Sequence, residues 1–99
     1  MNSPILVISP KARDDLKNIY QYGVRNWGAT HAAKYLDTLS AQLWSLVEHP
    51  KIGMERENLL AKMRSISIER HVVFYRLQTE NIEIVRVLHS RQDPQRHIG

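Results

Sequence analysis

A single α+β domain is the fold class this sequence predicts, with an N-terminal strand and an antiparallel helical hairpin packed on a small antiparallel sheet in the order β-α-α-β-β-β. Three observations lead there. Apolar residues recur at three- and four-residue steps through the first half of the chain, the period of helices that bury one face. In the second half they come in short blocks that alternate with polar residues or run continuously, the mark of strands. The 99 residues hold one core and leave room for one site, and no internal repeat or low-complexity stretch suggests more than a single domain over residues 1–99.

Ile5, Leu6, Val7 and Ile8 make a short strand that ends at Ser9-Pro10. A serine followed by proline is a helix N-cap with the ring at the first helical position, where the missing N–H would have no partner anyway. The first helix then carries Ala12, Leu16, Ile19, Tyr20, Gly23, Val24 and Trp27 on one stripe expected to face the core, and Gly28 stops it. A second helix opens near Thr30, keeps its period through Ala33, Leu36, Leu39, Leu43, Leu46 and Val47, and ends at His49-Pro50. So short a junction folds the two helices into an antiparallel hairpin.

Residues 51–62 contain Gly53, mixed charge and few apolar side chains, and read as a connector with room for a helical turn. Three strands are expected after it, over residues 63–68, 72–77 and 82–88, joined by hairpin-sized turns at Glu69-Arg70 and Thr79-Glu80-Asn81. The continuous run Val72, Val73, Phe74, Tyr75 marks the middle strand as covered on both faces. Residues 89–97 form a polar, basic tail that leaves the last strand, with Pro94 keeping the strand from continuing.

With 14 Lys and Arg against 10 Asp and Glu, a net charge of +4 and a pI near 9.7, the surface favours anionic partners, either nucleic acid or an acidic protein segment. The lack of cysteine excludes disulfides, thiolate nucleophiles and Cys-ligated zinc, and fits a reducing cytoplasm. The first apolar run has no basic leader and no cleavage-like motif, and nothing approaches bilayer-spanning length, so a soluble, unsecreted protein is expected. There is no Gly-rich phosphate loop, no Gly-x-Ser-x-Gly elbow and no nucleophile-base pair. Two classes remain: a basic nuclease that works without metal, and a protein that acts by binding.

Arg64, Arg70, Arg76, Arg86, Arg91 and Arg96 all fall in the strand half, where neighbouring strands can bring them to one concave cationic face for phosphates or a carboxylate-rich helix. Taken by themselves, the same residues are better read as solvated edges and surface ion pairs. His71, His89 and His97 are candidate acid-base groups, but none has a partner at ligand spacing, so no metal site and no cofactor is expected. Trp27 and Trp44 serve as packing residues on the helices, or, for Trp44, as an interface anchor.

Ordered pieces along nearly the full chain are similar to one family. They include Ile8-Ser9-Pro10-Lys11-Ala12-Arg13-Asp14-Asp15-Leu16, then Ile19-Tyr20-Gln21-Tyr22, Trp27-Gly28, Ala33-Lys34-Tyr35-Leu36 and His49-Pro50-Lys51-Ile52-Gly53. The strongest are Arg70-His71-Val72-Val73-Phe74-Tyr75-Arg76 and Ile82-Glu83-Ile84-Val85-Arg86-Val87-Leu88-His89-Ser90-Arg91, followed by Asp93-Pro94. In order and spacing these resemble the ParE branch of the RelE/ParE superfamily of bacterial type II toxin-antitoxin systems.

The resemblance implies a cytoplasmic toxin that inhibits DNA gyrase by binding and is neutralised by a cognate ParD-like antitoxin, with no membrane association and no sequence-specific DNA binding by the toxin alone. The sister RelE branch cleaves messenger RNA on the ribosome, which requires a group to activate the 2′-hydroxyl, a cation at the phosphate and an acid for the leaving oxygen. Those ribonucleases resemble one another in an arginine where this chain has Val72, and in a tyrosine after the last strand, where this chain has none beyond Tyr75. If the nuclease reading held, His89 and Arg91 would carry it. A toxin-like relic that only binds its antitoxin is the third reading.

For the target, the expected contacts are His89, Arg91, Asp93, Arg96 and His97, because the tail concentrates polar chemistry after a structural strand. A structural ion pair of Arg91 with Asp93 or Glu83 is the competing role. For the antitoxin, whose acidic amphipathic segment would cover an apolar groove, the expected contacts are Tyr35, Leu36, Trp44, Arg76 and Arg86.

Overall fold

The Ser9 Oγ accepts the Ala12 N–H at 3.1 Å, and helix α1 (Pro10–Trp27) starts behind this cap in the computed structural model, which describes residues 4–98. The expected lack of a leader extends over residues 1–3, which lie outside the described residues. Strand β1 (Ile5–Ile8) precedes the cap, and α2 (Ala29–Glu48) follows α1 almost without a loop. Gly28 makes the junction possible: at φ 90° its N–H bonds back to the Val24 carbonyl while its own carbonyl accepts the Ala32 N–H, each at 3.1 Å.

The three expected strands are β3 (Met63–Ile68), β4 (His71–Leu77) and β5 (Asn81–His89), paired antiparallel in sequence order. Two further pairings widen this sheet to the order β1-β5-β4-β3-β2. The two-residue strand β2 (Met54–Glu55) forms inside the connector against β3, and β1 joins β5 in parallel.

Alternation along the strands then divides the apolar residues between two clusters. On the helix side, Ala12, Leu39, Leu43 and Leu46 close over Val73, Tyr75, Ile82 and Ile84, all buried. On the opposite side Met63, Phe74, Leu88 and Ile98 form a smaller cluster, covered in part by Leu59 and Leu60 of the connector. The middle strand is thus covered on both faces, as its unbroken apolar run implies.

Two expectations need correction. Tyr20, Val24 and Trp27 do not face the core: they are 36%, 36% and 42% exposed, because only the N-terminal part of the stripe, with Ala12, Leu16 and Ile19, meets the sheet. The segment after β5 is also not a free polar tail. Asp93 caps a short helix α3 (Pro94–His97) by accepting the Gln95 N–H, Pro94 is its first residue, and Ile98 beyond it is buried in the outer cluster.

Tyr75 anchors the connector. Its hydroxyl donates to the Pro50 carbonyl at 2.8 Å and accepts the Gly53 N–H at 2.9 Å. A Cβ on Gly53 would lie 2.5 Å from that hydroxyl and 2.8 Å from the Ser65 carbonyl, so only glycine fits. Tyr75→Phe is expected to lower stability by about 1–3 kcal/mol by leaving two buried groups unpaired, and Gly53→Ala by at least as much. Urea unfolding with an unchanged m-value checks both.

Candidate functional site

Beyond Ile8, which pairs with Ile84, no strand among the described residues lies along the outer edge of β5. Asp15 on α1 takes over that edge. Its Oδ2 accepts the Val87 N–H at 2.9 Å, and its two oxygens accept Arg86 Nε and Nη2, both at 2.8 Å. Arg86 Nη1 donates to the His97 carbonyl at 3.0 Å, so one guanidinium joins α1, β5 and α3. The two side chains are only 16% and 12% exposed. Hydrogen bonding to Asp15 is the main cause that pushes the Arg86 guanidinium above its ordinary pKa.

Tyr35 on α2 organises the other side. Its hydroxyl lies 2.6 Å from His71 Nδ1 and accepts the Arg70 N–H at 3.3 Å, while the Arg70 carbonyl accepts the Ser90 N–H at 2.9 Å. These bonds hold the β3–β4 turn, where Glu69 sits at φ 52°, a conformation that costs a non-glycine residue about 1–2 kcal/mol. The turn places the Arg70 guanidinium 4.9 Å from the centre of the Trp27 ring, and Trp27 meets Tyr22 edge-on at 5.8 Å.

Between these two anchor points lies a cavity of about 520 Å³ lined by residues of both helices, the β3–β4 turn, the end of β5 and the segment after it. His71 and His89 face each other across β4 and β5 with ring centres 5.5 Å apart. Burial lowers the His71 pKa to about 4, helped by the nearby charges of His89 and Arg70, so the ring is neutral at pH 7. The Tyr35 hydroxyl also lies 3.5 Å from the Ile68 carbonyl, so its contact with His71 Nδ1 is satisfied with the imidazole proton on either ring nitrogen. His89 Nδ1 accepts the Arg91 N–H at 3.1 Å, which leaves Nε2 as its free ring nitrogen.

Chemically the cavity offers ring N–H groups, exposed aromatic faces and the Arg70 cation, which forms no ion pair among the described residues. No three His, Asp or Glu side chains among the described residues lie close enough to hold a metal ion. The site is equipped for binding.

The expected site residues divide. His89, His97, Tyr35 and Arg86 line the cavity together, although the sequence assigns them to two different partners. Arg91 and Arg96 are exposed outside it, and Asp93 is occupied as the α3 cap. Arg91 forms no ion pair with Asp93 or with Glu83, whose partner is Arg76 at 3.8 Å. Leu36 packs against the helix-side core, and Trp44, 64% exposed, stands apart on α2.

Of the two readings of the six arginines, convergence on one cationic face does not occur, and ion pairing engages three of them. Arg64 is bound to Glu55 and to the Lys51 and Gly53 carbonyls, Arg76 to Glu83 and Arg86 to Asp15, so only Arg70 and Arg86 share the cavity. Asp15, Trp27 and Arg70 belong to the site; sequence reasoning assigns Asp15 and Trp27 no part in it and names Arg70 only as one of six arginines of a possible cationic face. Nothing local in the sequence marks Asp15, since its partners are 71 and 72 positions away.

The model of the family described as "ParE toxin of type II toxin-antitoxin system, parDE" matches residues 6–94. Toxin ParE1 of Caulobacter vibrioides is 39% identical over 92 residues, covering 93% of this chain and 95% of that protein. Toxin ParE1 of Mycobacterium tuberculosis is 32% identical over 93 residues, covering 93% and 95%. Among solved structures, a chain of the chromosomal ParDE system from P. aeruginosa superposes with a TM-score of 0.78 at 24% identity, covering 88% of this chain and 96% of its own, a likeness of fold.

Two outcomes follow from this geometry. Asp15→Ala strands Arg86 and the Val87 N–H and is expected to lower stability by about 3–5 kcal/mol, measured by urea unfolding. His71 takes up its proton near pH 6.5 when unfolded but only near 4 when folded, so the unfolded state binds more protons between these values. Stability is therefore expected to fall as pH drops from 6.5 towards 4, by about 1–2 kcal/mol once solvent screening of this half-exposed ring is discounted. His71→Gln should flatten that slope in unfolding curves taken across the same range.

Proposed function

The chain belongs to the ParE toxin family of type II toxin-antitoxin systems, and from that membership we propose that it inhibits DNA gyrase by binding, catalyses no reaction, and is neutralised by a cognate ParD-like antitoxin. It acts in the cytoplasm as one domain over residues 1–99, without a membrane and without reading DNA sequence by itself. No helix of the described residues is long and apolar enough to cross a membrane.

The observation that favours binding over RNA cleavage is at Val72. Where the ribonuclease relatives resemble one another in an arginine, this side chain packs into the outer cluster with Phe74 and Leu88, on the sheet face away from the cavity. It brings no cation to a phosphate, and the nearby imidazole pair is in ring-to-ring contact with His71 held neutral. This arrangement supports recognition: the cation the ribonucleases share at that position is missing, and Arg70, the unpaired cation of the cavity among the described residues, comes from the β3–β4 turn instead.

The antitoxin is supported by membership in a toxin-antitoxin family and by the ParDE system to which the similar P. aeruginosa chain belongs. A basic toxin attracts an acidic segment and speeds its association. Trp44 is the exposed anchor for such a segment; Tyr35 and Arg86 line the cavity apart from it, Leu36 packs on the helix-side core and Arg76 pairs with Glu83, which makes them weaker contacts for the antitoxin. For gyrase, the exposed Arg91 and Arg96 are the charged contacts, next to His89, Asp93 and His97.

Purified protein is expected to block supercoiling of relaxed plasmid by gyrase and to leave messenger intact in a parallel translation reaction. Cut messenger with unaffected gyrase would transfer the chain to the nuclease branch. Reversing charge at Arg91 and Arg96 together should raise the inhibitory concentration by about tenfold or more while the melting temperature holds. Unchanged inhibition by that variant would remove these residues from the target surface.

A further inference from the structure

The cavity between α1, the β3–β4 turn and the end of β5 contains recognition groups that neither the core nor the Asp15–Arg86 pair uses. We propose that it binds a nucleotide, with the phosphate held by Arg70 and His89 and the base stacked on Tyr22 beside the Trp27–Arg70 pair. The inference goes beyond gyrase inhibition and does not depend on it.

Charge selects the ligand class first. Asp15 is neutralised by Arg86 inside the cavity wall, so among the described residues Arg70 is the uncompensated ion that faces the space. Arg70 is exposed at its turn with its guanidinium carbon 4.9 Å from the Trp27 ring centre, and its side-chain N–H groups bond to no other described residue, so they are available for an anion. His89 holds Nδ1 on the Arg91 N–H, which leaves its Nε2 as a donor for a phosphate oxygen.

Shape and surface select the rest. A cavity of about 520 Å³ has the size of small-ligand sites, larger than a lone phosphate needs. Tyr22 and Trp27 are 54% and 42% exposed at its rim, large aromatic faces left in water outside both core clusters. Such faces stack nucleobases without requiring a particular base. Asn18 lines the same space with a side-chain amide that has no hydrogen-bond partner among the described residues, which suits the polar edge of a base.

Two sources present this chemistry, a free mononucleotide and a nucleotide unit of a single strand. The test is an NMR titration of the full chain, without gyrase, with AMP, adenosine, inorganic phosphate and a short single-stranded oligodeoxyadenylate. AMP, the oligonucleotide or both are expected to shift the His89 and His71 ring nitrogens and the Asn18 amide saturably. Adenosine and phosphate alone should bind about tenfold more weakly or worse, since each lacks one half of the contact.

Arg70→Gln is expected to weaken AMP or oligonucleotide binding by about tenfold, and Tyr22→Leu by a similar factor, while Arg96→Gln, an equal loss of charge outside the cavity, leaves it unchanged. Binding by AMP would identify the free nucleotide as sufficient, and binding by the oligonucleotide alone would identify the strand. No saturable shift with either probe overturns the proposal. So does inorganic phosphate binding as tightly as AMP, or Arg96→Gln costing as much as Arg70→Gln. The ligand comparison uses the unaltered protein, so it decides the question even where a variant fails to fold, and its result leaves the gyrase assay untouched.

Discussion

One carboxylate carries the constraint on which the cavity side of the molecule depends. Where β1 runs out, Asp15 satisfies the Val87 N–H that a longer strand would have met, and holds Arg86 at two points. Sheet edges elsewhere need a partner strand or exposed charge; here a side chain from a helix closes one position of the edge. Because Arg86 also holds the His97 carbonyl, the segment after β5 is drawn back and Ile98 reaches the outer cluster. A mostly buried ion pair adds little net stability over an apolar substitute, so its importance here lies in geometry. It sets where α1, β5 and α3 meet, and it removes the negative charge that Asp15 would otherwise present to the cavity.

Much of this architecture is legible in the sequence, for reasons that are local. Ser9-Pro10 and Gly28 mark both ends of α1, and the apolar period of the second helix includes the buried Leu39, Leu43 and Leu46, although it takes the exposed Ala33 in place of the buried Ala32. The strand blocks are visible because alternation and continuity are properties of neighbouring residues. What escapes such reading depends on partners far along the chain. Met54 and Glu55 are a strand only because β3 offers them an edge, and the parallel orientation of β1 follows from β5 lying beside it. Asp93-Pro94 repeats the capping logic of Ser9-Pro10, yet a proline after a strand also reads as a stop, and so short a span has little periodicity to decide between them.

The site is legible in its residue types and not in its grouping. His71, His89 and His97 stand out as acid-base candidates, and all three line one cavity. Their environment is invisible in the sequence, and environment decides the role: burial, with the neighbouring charges of His89 and Arg70, keeps His71 neutral. The arginines teach the opposite lesson. Their number in the strand half suggests a patch, but Asp15, Glu55 and Glu83 each engage one of them, and among the described residues the cavity is left with Arg70 as its unpaired cation. Charge counts do not reveal which charges are spoken for.

The parallel contact of β1 with β5 has a consequence in time. Ser9 and Val85, hydrogen-bonded in the finished structure, are 76 positions apart, and Asp15 and Arg86 are 71 apart. The loop entropy of such contacts must be overcome before they contribute anything, which slows folding relative to the local helical hairpin. During synthesis the hairpin can form early, but β1 has no partner until β5 has emerged. The nascent chain therefore passes through a stage in which an apolar strand and the helix face behind it stand open, and the cavity does not yet exist. A partner that recognises this early surface would meet the protein before its own C-terminal half could compete for it.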